Sequence, residues 1–298
     1  MRVLRTAEEM RSFTGSLAGD AGRGMVGFVP TMGYLHEGHL SLVRLAREEC
    51  ATVIVSIFVN PLQFGPNEDL DRYPRDEDRD LRLAREAGAD AVFLPAPEEM
   101  YLRGFTTEVR VGGLEDVLEG SSRPGHFAGV ATVLAKLLNV VSPDRMYMGQ
   151  KDAQQAILVR RMMRDLGFPA VLVVGPTVRE PDGLAMSSRN VYLSTAGREA
   201  ATAISHVLSA ATRGAAGVSW EPREVARGLR EKAKEELARE ERLEIDYVSA
   251  ADADGLGDVD EGTSKILLSC AAKVDGTRLI DNLIVGEERG KVVESPLL

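Results

Sequence analysis

The sequence has little cysteine, and the two it has do not suggest a disulfide. Cys50 and Cys270 are far apart among 298 residues, and both lie in apolar stretches. Isolated buried thiols are typical of reducing compartments, whereas small secreted domains carry several cysteine pairs. The start MRVLRTAEEMRSF also lacks the apolar segment of a signal peptide, and no run reaches membrane-spanning length. We therefore expect buried thiols in a cytoplasmic protein with no membrane partner.

Basic residues are fewer than acidic ones, which limits the possible partners. The chain has 36 Lys and Arg against 46 Asp and Glu, a net charge of -10. A protein that binds nucleic acid through a general basic surface needs the opposite balance, so we expect no nucleic-acid partner. The balance still allows a local basic pocket for a phosphorylated substrate. The length and a hydrophobic content of 44% predict a large core and two domains.

The clearest structural pattern runs from Met25 to Val59. The apolar residues 25–29 predict a buried strand that Pro30 and Gly33 end, and residues 40–46 have helical spacing. Residues 51–59, ATVIVSIFV, predict a second strand covered on both faces. Strand, helix and strand in this order form the βαβ unit of an α/β fold. Further strands are expected at 91–94, 104–111, 144–148 and 171–174, and helices at 7–18, 127–141 and from 153 to about 166.

Two histidines, His36 and His39, flank Gly38 at the turn from the first strand into its helix. Backbone N–H groups at a helix start are unsatisfied and attract phosphates, and a glycine lets a ligand approach the backbone closely. This HxGH spacing resembles the adenylyl-transfer signature of the nucleotidylyltransferase superfamily. The four letters alone would also suit ordinary surface or core histidines.

Polar residues follow the ends of later strands, where ligands of open α/β sheets bind. Asn60 and Gln63 follow the second strand, and Arg123 and His126 precede a helix. These residues would suit a polar or anionic substrate, although a surface loop or a capping loop has the same composition. The charged run 76–85 has the pattern of a solvated helix face.

Two further segments suit phosphates. In Gly149-Gln150-Lys151-Asp152 a lysine stands just before a helix, and Asp152 could hold Mg²⁺ or, more commonly, cap that helix. Met186-Ser187-Ser188-Arg189 combines two hydroxyls with a guanidinium, which can bind phosphate oxygens in a bidentate manner. The second segment resembles the serine-rich variant of the superfamily's late signature.

The composition changes after about residue 190. Two helical patterns, at 199–212 and 223–242, are followed by strand patterns at 244–250, 264–272 and 277–284. We therefore predict a Rossmann-like parallel sheet of the HxGH nucleotidylyltransferase type in residues 1–185. Residues 186–298 are predicted to form a smaller C-terminal α+β domain with antiparallel strands.

Six segments, spread over nearly the whole chain, together resemble the pantoate–β-alanine ligase (pantothenate synthetase) family. They are, in order, PTMGYLHEGH, SIFVNPLQFGPNEDLDRYPR, SRPGHFAGV, GQKDAQQ, DGLAMSSRN and RLIDN. The resemblance implies a C-terminal domain that acts as a lid, a homodimer, and a reaction in two steps. Pantoate attacks the α-phosphate of Mg²⁺-bound ATP to give pantoyl adenylate and pyrophosphate, and β-alanine then displaces AMP to give pantothenate.

The resemblance also implies roles for particular residues. His39 would be a proton donor or phosphate ligand, with His36 and Lys151 also catalytic, while Gln63 and Gln155 would hold pantoate and Gln63 would border β-alanine. Asn60, Arg123 and His126 would lie near pantoate, and Asp152 is the candidate Mg²⁺ ligand. The ATP site would comprise Met32, Gly33, Tyr34, Leu35, His36, Glu37, Gly38, His39, Gly149, Gln150, Lys151, Asp152, Val178, Met186, Ser187, Ser188 and Arg189. Gln150 is a departure, since the family usually has Glu at that position.

Two other interpretations of the sequence compete with the ligase. A transferase of the same fold that acts on a phosphate acceptor would need a further cationic subsite to bind that phosphate. The candidate substrate-binding residues here instead include neutral glutamines. A non-catalytic nucleotide-binding regulator would be expected to have lost a histidine, Lys151 or the serines, and none of these is lost. A tRNA-binding synthetase is disfavoured by the acidic charge.

Overall fold

The computed structural model describes residues 1–18, 24–66 and 68–297. It divides into two compact units that interleave along the chain. The first unit comprises Met1–Asp116, Arg123–Gly149 and Leu158–Gly175, and the second comprises Val117–Ser122, Gln150–Ile157 and Pro176–Leu298. The domain boundary at 185/186 stays a prediction.

Helices and strands alternate in the first half of the chain, while strands dominate its end. In chain order they are β1 (Arg2–Leu4), α1 (Ala7–Ala18), β2 (Val26–Thr31), α2 (Glu37–Glu49), β3 (Thr52–Ile57), α3 (Glu77–Ala87), β4 (Ala91–Phe93), α4 (Pro97–Met100), α5 (Glu119–Ser122), α6 (His126–Val141), β5 (Arg145–Gly149), α7 (Ala153–Asp165), β6 (Val171–Gly175), α8 (Thr195–Ala215), α9 (Pro222–Leu237), β7 (Glu244–Asp252), β8 (Lys265–Val274), β9 (Thr277–Glu288) and β10 (Lys291–Glu294). Short 3₁₀ turns span Pro61–Gln63, Gln150–Asp152 and Ser188–Tyr192.

The first unit is built on a parallel sheet, as the sequence predicts. Within the described residues this sheet has six strands in the order β1-β4-β3-β2-β5-β6. Every residue of β3 is buried, in keeping with its β-branched run. Because β2 and β3 are parallel neighbours with Thr31 opposite Ile57, the segments that follow them leave the same edge of the sheet.

Helix α2 closes the βαβ unit because its apolar residues share one face. Leu40, Leu42, Val43 and Ala46 are buried, and they belong to a core cluster that includes Val29 and Val53 of the sheet. This packing fixes the start of α2, and with it the HxGH segment, against the end of β2. The prediction that Pro30 ends β2 is wrong, since the strand continues to Thr31. Pro30 lies beyond the residues of β2 that pair with β5.

The second unit carries an antiparallel sheet in the order β10-β9-β8-β7. Apolar residues of α8 and α9, among them Leu208 and Leu229, form one core with Leu268 and Cys270 of β8. The predicted small α+β domain with antiparallel strands is confirmed, although β10 was not predicted.

The strand predicted at 104–111 is wrong. The structure describes all eight residues and assigns no strand to them. The Val109 N–H donates instead to the side-chain Oγ1 of Thr132 in α6, at 2.9 Å. Alternating polar and apolar residues indicate an exposed extended segment here, but an edge strand also needs a neighbouring backbone with which to pair.

Both cysteines are free and buried, as expected. Burial raises the pKa of the Cys270 thiol to about 12, which keeps it protonated at neutral pH. Among the residues that the structure describes, we find no helix with the length and apolar character needed to cross a membrane.

Candidate active site

The two histidines of the HxGH segment cap the N-terminus of α2. His36 is the N-cap residue, and its Nδ1 accepts the Gly38 N–H at 3.2 Å. His39 reaches back, and its Nδ1 accepts the His36 N–H at 3.3 Å, which completes a reciprocal capping box. The ring centroids lie 4.1 Å apart. Both imidazoles are therefore held in place by the backbone of the helix start.

This arrangement fixes the tautomer of each neutral ring. A nitrogen that accepts a backbone N–H carries no proton, so Nδ1 is bare in both His36 and His39. The proton of each neutral imidazole then sits on Nε2, which makes that atom a donor. Together with the positive end of the α2 dipole, two N–H donors suit the oxygens of a polyphosphate.

Asp80 holds the loop that leads into the histidines. Its Oδ2 accepts the Tyr34 N–H at 2.6 Å and its Oδ1 accepts the Leu35 N–H at 2.7 Å. The interpretation of 76–85 as a solvated face is wrong at this residue, because Asp80 is only 1% exposed. Burial raises the pKa of Asp80, and the two N–H groups oppose that shift without cancelling it. A Cβ at Gly33, where φ is +86°, would lie 3.0 Å from Asp80 Oδ2, so glycine is needed for this close approach.

Asn60 and Gln63 lie in a locked turn after β3. Asn60 Nδ2 donates to Gln63 Oε1 at 3.0 Å and to the Gly129 carbonyl at 3.1 Å, while Tyr101 Oη donates to Asn60 Oδ1 at 2.7 Å. Gln63 Nε2 lies 3.0 Å from the Met32 sulfur, so the segments that follow β2 and β3 meet. The hydrogen bond from Asn60 thus fixes the direction of the Gln63 amide. The turn also packs closely against α6, because a Cβ at Gly129 would lie 2.2 Å from the Leu62 carbonyl oxygen.

In the second unit, Asn282 of β9 holds the lysine segment. The Asn282 Nδ2 donates to the carbonyls of Gln150 and Lys151 at 3.0 and 2.9 Å, and its Oδ1 lies 3.4 Å from Gln150 Nε2. The Lys151 ammonium lies 3.4 Å from Asp152 Oδ1, and the Asp152 side chain is 49% exposed. Gln150 therefore contacts Asn282 through both its side chain and its carbonyl oxygen.

Val178 and the serine segment are joined by a short hairpin-like loop. The Met186 N–H donates to the Val178 carbonyl at 3.0 Å, and Arg179 forms a bridge with Ala185. Ser187 then caps the 3₁₀ turn that follows, because its Oγ accepts the Arg189 N–H at 3.3 Å. The structure thus brings Val178, Met186, Ser187, Ser188 and Arg189 together within the second unit.

The adjacent residues Gln154 and Gln155 have different environments at the start of α7. Gln154 is buried, and it accepts the Glu119 N–H at 3.0 Å and donates to the Val117 carbonyl at 2.8 Å. Gln155 is half-buried in the same turn. Gln154 therefore anchors residues 117–122, whereas Gln155 is the residue predicted to bind pantoate.

The predicted site residues fall into two groups, one in each unit. The first unit holds Met32, Gly33, Tyr34, Leu35, His36, Glu37, Gly38, His39, Asn60, Gln63, Arg123, His126 and Gly149, and the second holds Gln150, Lys151, Asp152, Gln155, Val178, Met186, Ser187, Ser188 and Arg189. Sequence reasoning missed Asp80, which lay inside a charged run. The RLIDN segment contains Asn282, but its sequence pattern alone indicates no role for that residue.

Comparison with known proteins gives a consistent result. The family model described as pantoate-beta-alanine ligase matches residues 2–284. A pantothenate synthetase of Moorella thermoacetica is 51% identical over 286 residues, covering 96% of this chain and 99% of the relative. One from Chloroflexus aurantiacus is 53% identical over 290 residues, with 96% and 99% coverage.

Two solved structures are also similar to this chain. The crystal structure of pantothenate synthetase from Thermus thermophilus has a TM-score of 0.85 and 45% identity, covering 95% of this chain and 99% of that one. The pantoate-beta-alanine ligase of Francisella tularensis, complexed with β-γ ATP and β-alanine, has a TM-score of 0.74 and 32% identity, with 95% and 97% coverage.

Proposed function

The chain belongs to the pantoate–β-alanine ligase family, and we propose from this that it joins pantoate to β-alanine at the expense of ATP, through pantoyl adenylate. The observation that carries the proposal is the family match over residues 2–284, which takes in every predicted site residue. The name of the Francisella complex supports ATP and β-alanine as substrates.

In the first step a pantoate carboxylate oxygen attacks the α-phosphorus of ATP, and the bond to the β-phosphate oxygen breaks. Negative charge moves onto the departing pyrophosphate, so fixed donors and cations there lower the barrier. We assign this role to the Nε2–H groups of His36 and His39 at the start of α2. Lys151 supplies a cation, and Ser187, Ser188 and Arg189 supply hydroxyl and guanidinium donors.

In the second step the β-alanine amine attacks the acyl carbon, AMP leaves, and the amine gives up a proton. A neutral amide is formed, so neutral groups suit the acyl end of the intermediate. We assign Gln63 and Gln155 to the hydroxyls and carboxylate of pantoate, and Gln63 also to the edge of the β-alanine site. The hydrogen bond from Asn60 to Gln63 Oε1 supports this, because it fixes the direction of the amide.

Mg²⁺ would accompany ATP in this reaction. Across the described ranges 1–18, 24–66 and 68–297, no group of three or more His, Cys, Asp or Glu side chains is placed to hold a metal ion. Mg²⁺ is commonly held by one or two carboxylates together with substrate phosphates, and the half-exposed Asp152 fits that arrangement. We propose that Asp152 holds the ion, which would neutralise phosphate charge when bound.

We also propose a cytoplasmic homodimer. Two buried free thiols suit a reducing compartment. Strand β6 ends the order of the parallel sheet, Val171 at its start is 56% exposed, and Leu166 just before it is also 56% exposed. Exposed apolar residues at a sheet edge support pairing between copies, which sedimentation velocity would measure.

The experiment that tests the function is isotope exchange between pyrophosphate and ATP. We expect exchange that requires pantoate and Mg²⁺ but not β-alanine, with β-alanine then diverting the adenylate to AMP and an amide. His39→Ala should slow the exchange by about 10²-fold, the usual effect of losing one transition-state donor. His206→Ala, which changes an exposed histidine of α8, is the control and should leave the exchange unchanged.

Other outcomes would favour the competing functions. Exchange with a phosphorylated acceptor but not with pantoate would indicate a transferase of the same fold. Tight ATP binding with no exchange for any acid would indicate a nucleotide-binding regulator. An unchanged exchange rate in His39→Ala would remove that residue from the mechanism.

A further inference from the structure

Arg123, predicted to lie near pantoate, is already paired with a carboxylate. Its Nε and Nη2 donate to the two oxygens of Glu68 at 2.7 and 2.6 Å. The side chains are only 15% and 25% exposed, so solvent screens this bidentate pair little. Burial favours the neutral acid, yet the hydrogen bonds and charge of Arg123 outweigh it and keep the pKa of Glu68 below its ordinary value. Glu68 therefore neutralises the local charge of Arg123.

The remaining guanidinium nitrogen connects this pair to Gln63. Arg123 Nη1 lies 3.1 Å from His126 Nε2, and His126 Nδ1 lies 2.8 Å from the Gln63 carbonyl oxygen. An arginine can only donate, so His126 Nε2 accepts and the proton of the neutral ring sits on Nδ1, from which it is donated to Gln63. This tautomer is the opposite of the one fixed in His36 and His39.

We propose that Glu68 is a positioning residue for the acid substrate, acting through Arg123 and His126 on the backbone of Gln63. This inference rests on the proposed function, because it takes Gln63 as the group that holds pantoate. Arg123 does not anchor the substrate carboxylate, since Glu68 already accepts from its Nε and Nη2 and would repel a second anion. The chain of contacts instead fixes the 3₁₀ turn Pro61–Gln63, and with it the direction in which the Gln63 amide points.

The first test is Glu68→Gln, with the Michaelis constants for pantoate and ATP measured separately. We expect the pantoate KM to rise by about tenfold, the effect of weakening one charge-assisted contact, and the ATP KM to stay within about twofold. Glu68→Asp, which keeps the charge, should recover part of the loss. Glu77→Gln is the matched control, since Glu77 pairs with Arg5 on the exposed surface of the same unit, and both constants should stay at wild-type values.

The alternative makes a prediction of opposite sign. If Arg123 bound the substrate carboxylate directly, Glu68→Gln would release the guanidinium and lower the pantoate KM. That result, an unchanged KM, or an equal rise for ATP would overturn the proposal. Arg123→Lys provides a second variant, because a lysine keeps the charge but cannot bridge Glu68 and His126. It should raise the pantoate KM as Glu68→Gln does, and the double variant should be no worse than either single one.

A final measurement does not depend on activity. The chain has four histidines, so nitrogen-15 NMR of their rings can separate the tautomers. We expect Nδ1–H for His126 and Nε2–H for His36 and His39 in the wild type, with the His126 signal altered in Glu68→Gln and unchanged in Glu77→Gln. An Nε2–H tautomer at His126 would overturn the proposal even in an active enzyme. A protein that shows the expected tautomers but no pantoate-dependent exchange would instead refute the proposed function.

Discussion

Adjacent residues of one type can have separate roles, and Gln154 and Gln155 illustrate this. The side chain of Gln154 makes two hydrogen bonds to the backbone of residues 117–119, and it is buried. Gln155 is one residue further along the same helical turn and is the residue that we propose binds pantoate. Since successive helical residues point about 100° apart, both side chains cannot serve the same surface.

We therefore predict opposite effects of two alanine substitutions. Gln154→Ala leaves a buried N–H and a carbonyl without their partner, so it should cost about 1–3 kcal/mol of unfolding free energy and leave the pantoate KM nearly unchanged. Gln155→Ala should raise the pantoate KM well above the ATP KM with little loss of stability. Chemical denaturation and steady-state kinetics on both variants would check this, and a swap of the two effects would reverse the assignment.

Local motifs made part of the site predictable from the sequence. His36 and His39 are three residues apart, and the strand before them and the helix after them can be recognised from the same stretch. Asp80, Glu68 and Asn282 could not be identified in this way, because their partners lie 45, 55 and 132 residues away in sequence. Nothing in the pattern of 76–85 separates the buried Asp80 from its solvated neighbours.

At the scale of elements, β9 holds four separate segments of the second unit. Arg278 pairs with Glu119 and with Asp246, where its Nη2 lies 2.6 Å from Asp246 Oδ2. The Asp281 carboxylate accepts hydrogen bonds from both terminal nitrogens of Arg179, at 2.6 and 3.1 Å. Asn282 binds the Gln150–Lys151 turn. Each polar residue of the RLIDN segment thus holds at least one other segment of the chain in place.

Asn282→Ala tests whether this strand supports the proposed nucleotide site. The substitution leaves the carbonyls of Gln150 and Lys151 without their donor, so the turn that carries Lys151 should loosen. We expect the ATP KM to rise by about tenfold, the effect of one or two lost hydrogen bonds, with a smaller change for pantoate. Asn139→Ala, at an exposed position of α6, is the control. An unchanged ATP KM in a folded Asn282→Ala protein would mean that the turn holds its shape without β9.

Element prediction succeeded where burial and chain pattern agree. Strand β3 is buried on both faces, and the long helices α6 and α8 are buried along at least one face. The sequence pattern of each of these elements reflects that burial. The segment 104–111 failed because its pattern fits any extended chain, and pairing depends on a neighbour that the local sequence does not specify. Likewise β1 and β10, with three and four residues, are too short to carry a period.

At the scale of the whole molecule, individual carboxyls affect the pH dependence of stability in opposite directions. Burial favours the neutral form of Asp246, but hydrogen bonds from Arg278 and Ser122 outweigh it and lower the pKa. For Asp80, the effect of burial exceeds the opposing effect of the hydrogen bonds from the Leu35 and Tyr34 N–H groups, so the pKa is raised. The net charge of -10 does not reveal this difference, because the two groups count equally in it.

The sign for each group follows from which state binds protons more tightly. Unfolded Asp246 binds its proton more tightly than the folded group does, so its stabilisation is full above the ordinary pKa of about 4 and is lost as the pH falls. For Asp80 the folded state binds the proton more tightly, so its contribution falls as the pH rises through the raised pKa. Asp246→Asn should therefore flatten the rise of unfolding free energy as the pH increases up to about 4, and Asp80→Asn should steepen the rise as the pH increases above about 4. Urea titrations followed by circular dichroism would measure both slopes, with Asp258→Asn, an exposed position, as a control that should match the wild type. Because the prediction concerns slopes, a uniform loss of stability in either variant does not disturb it, whereas slopes that change in the same direction would contradict it.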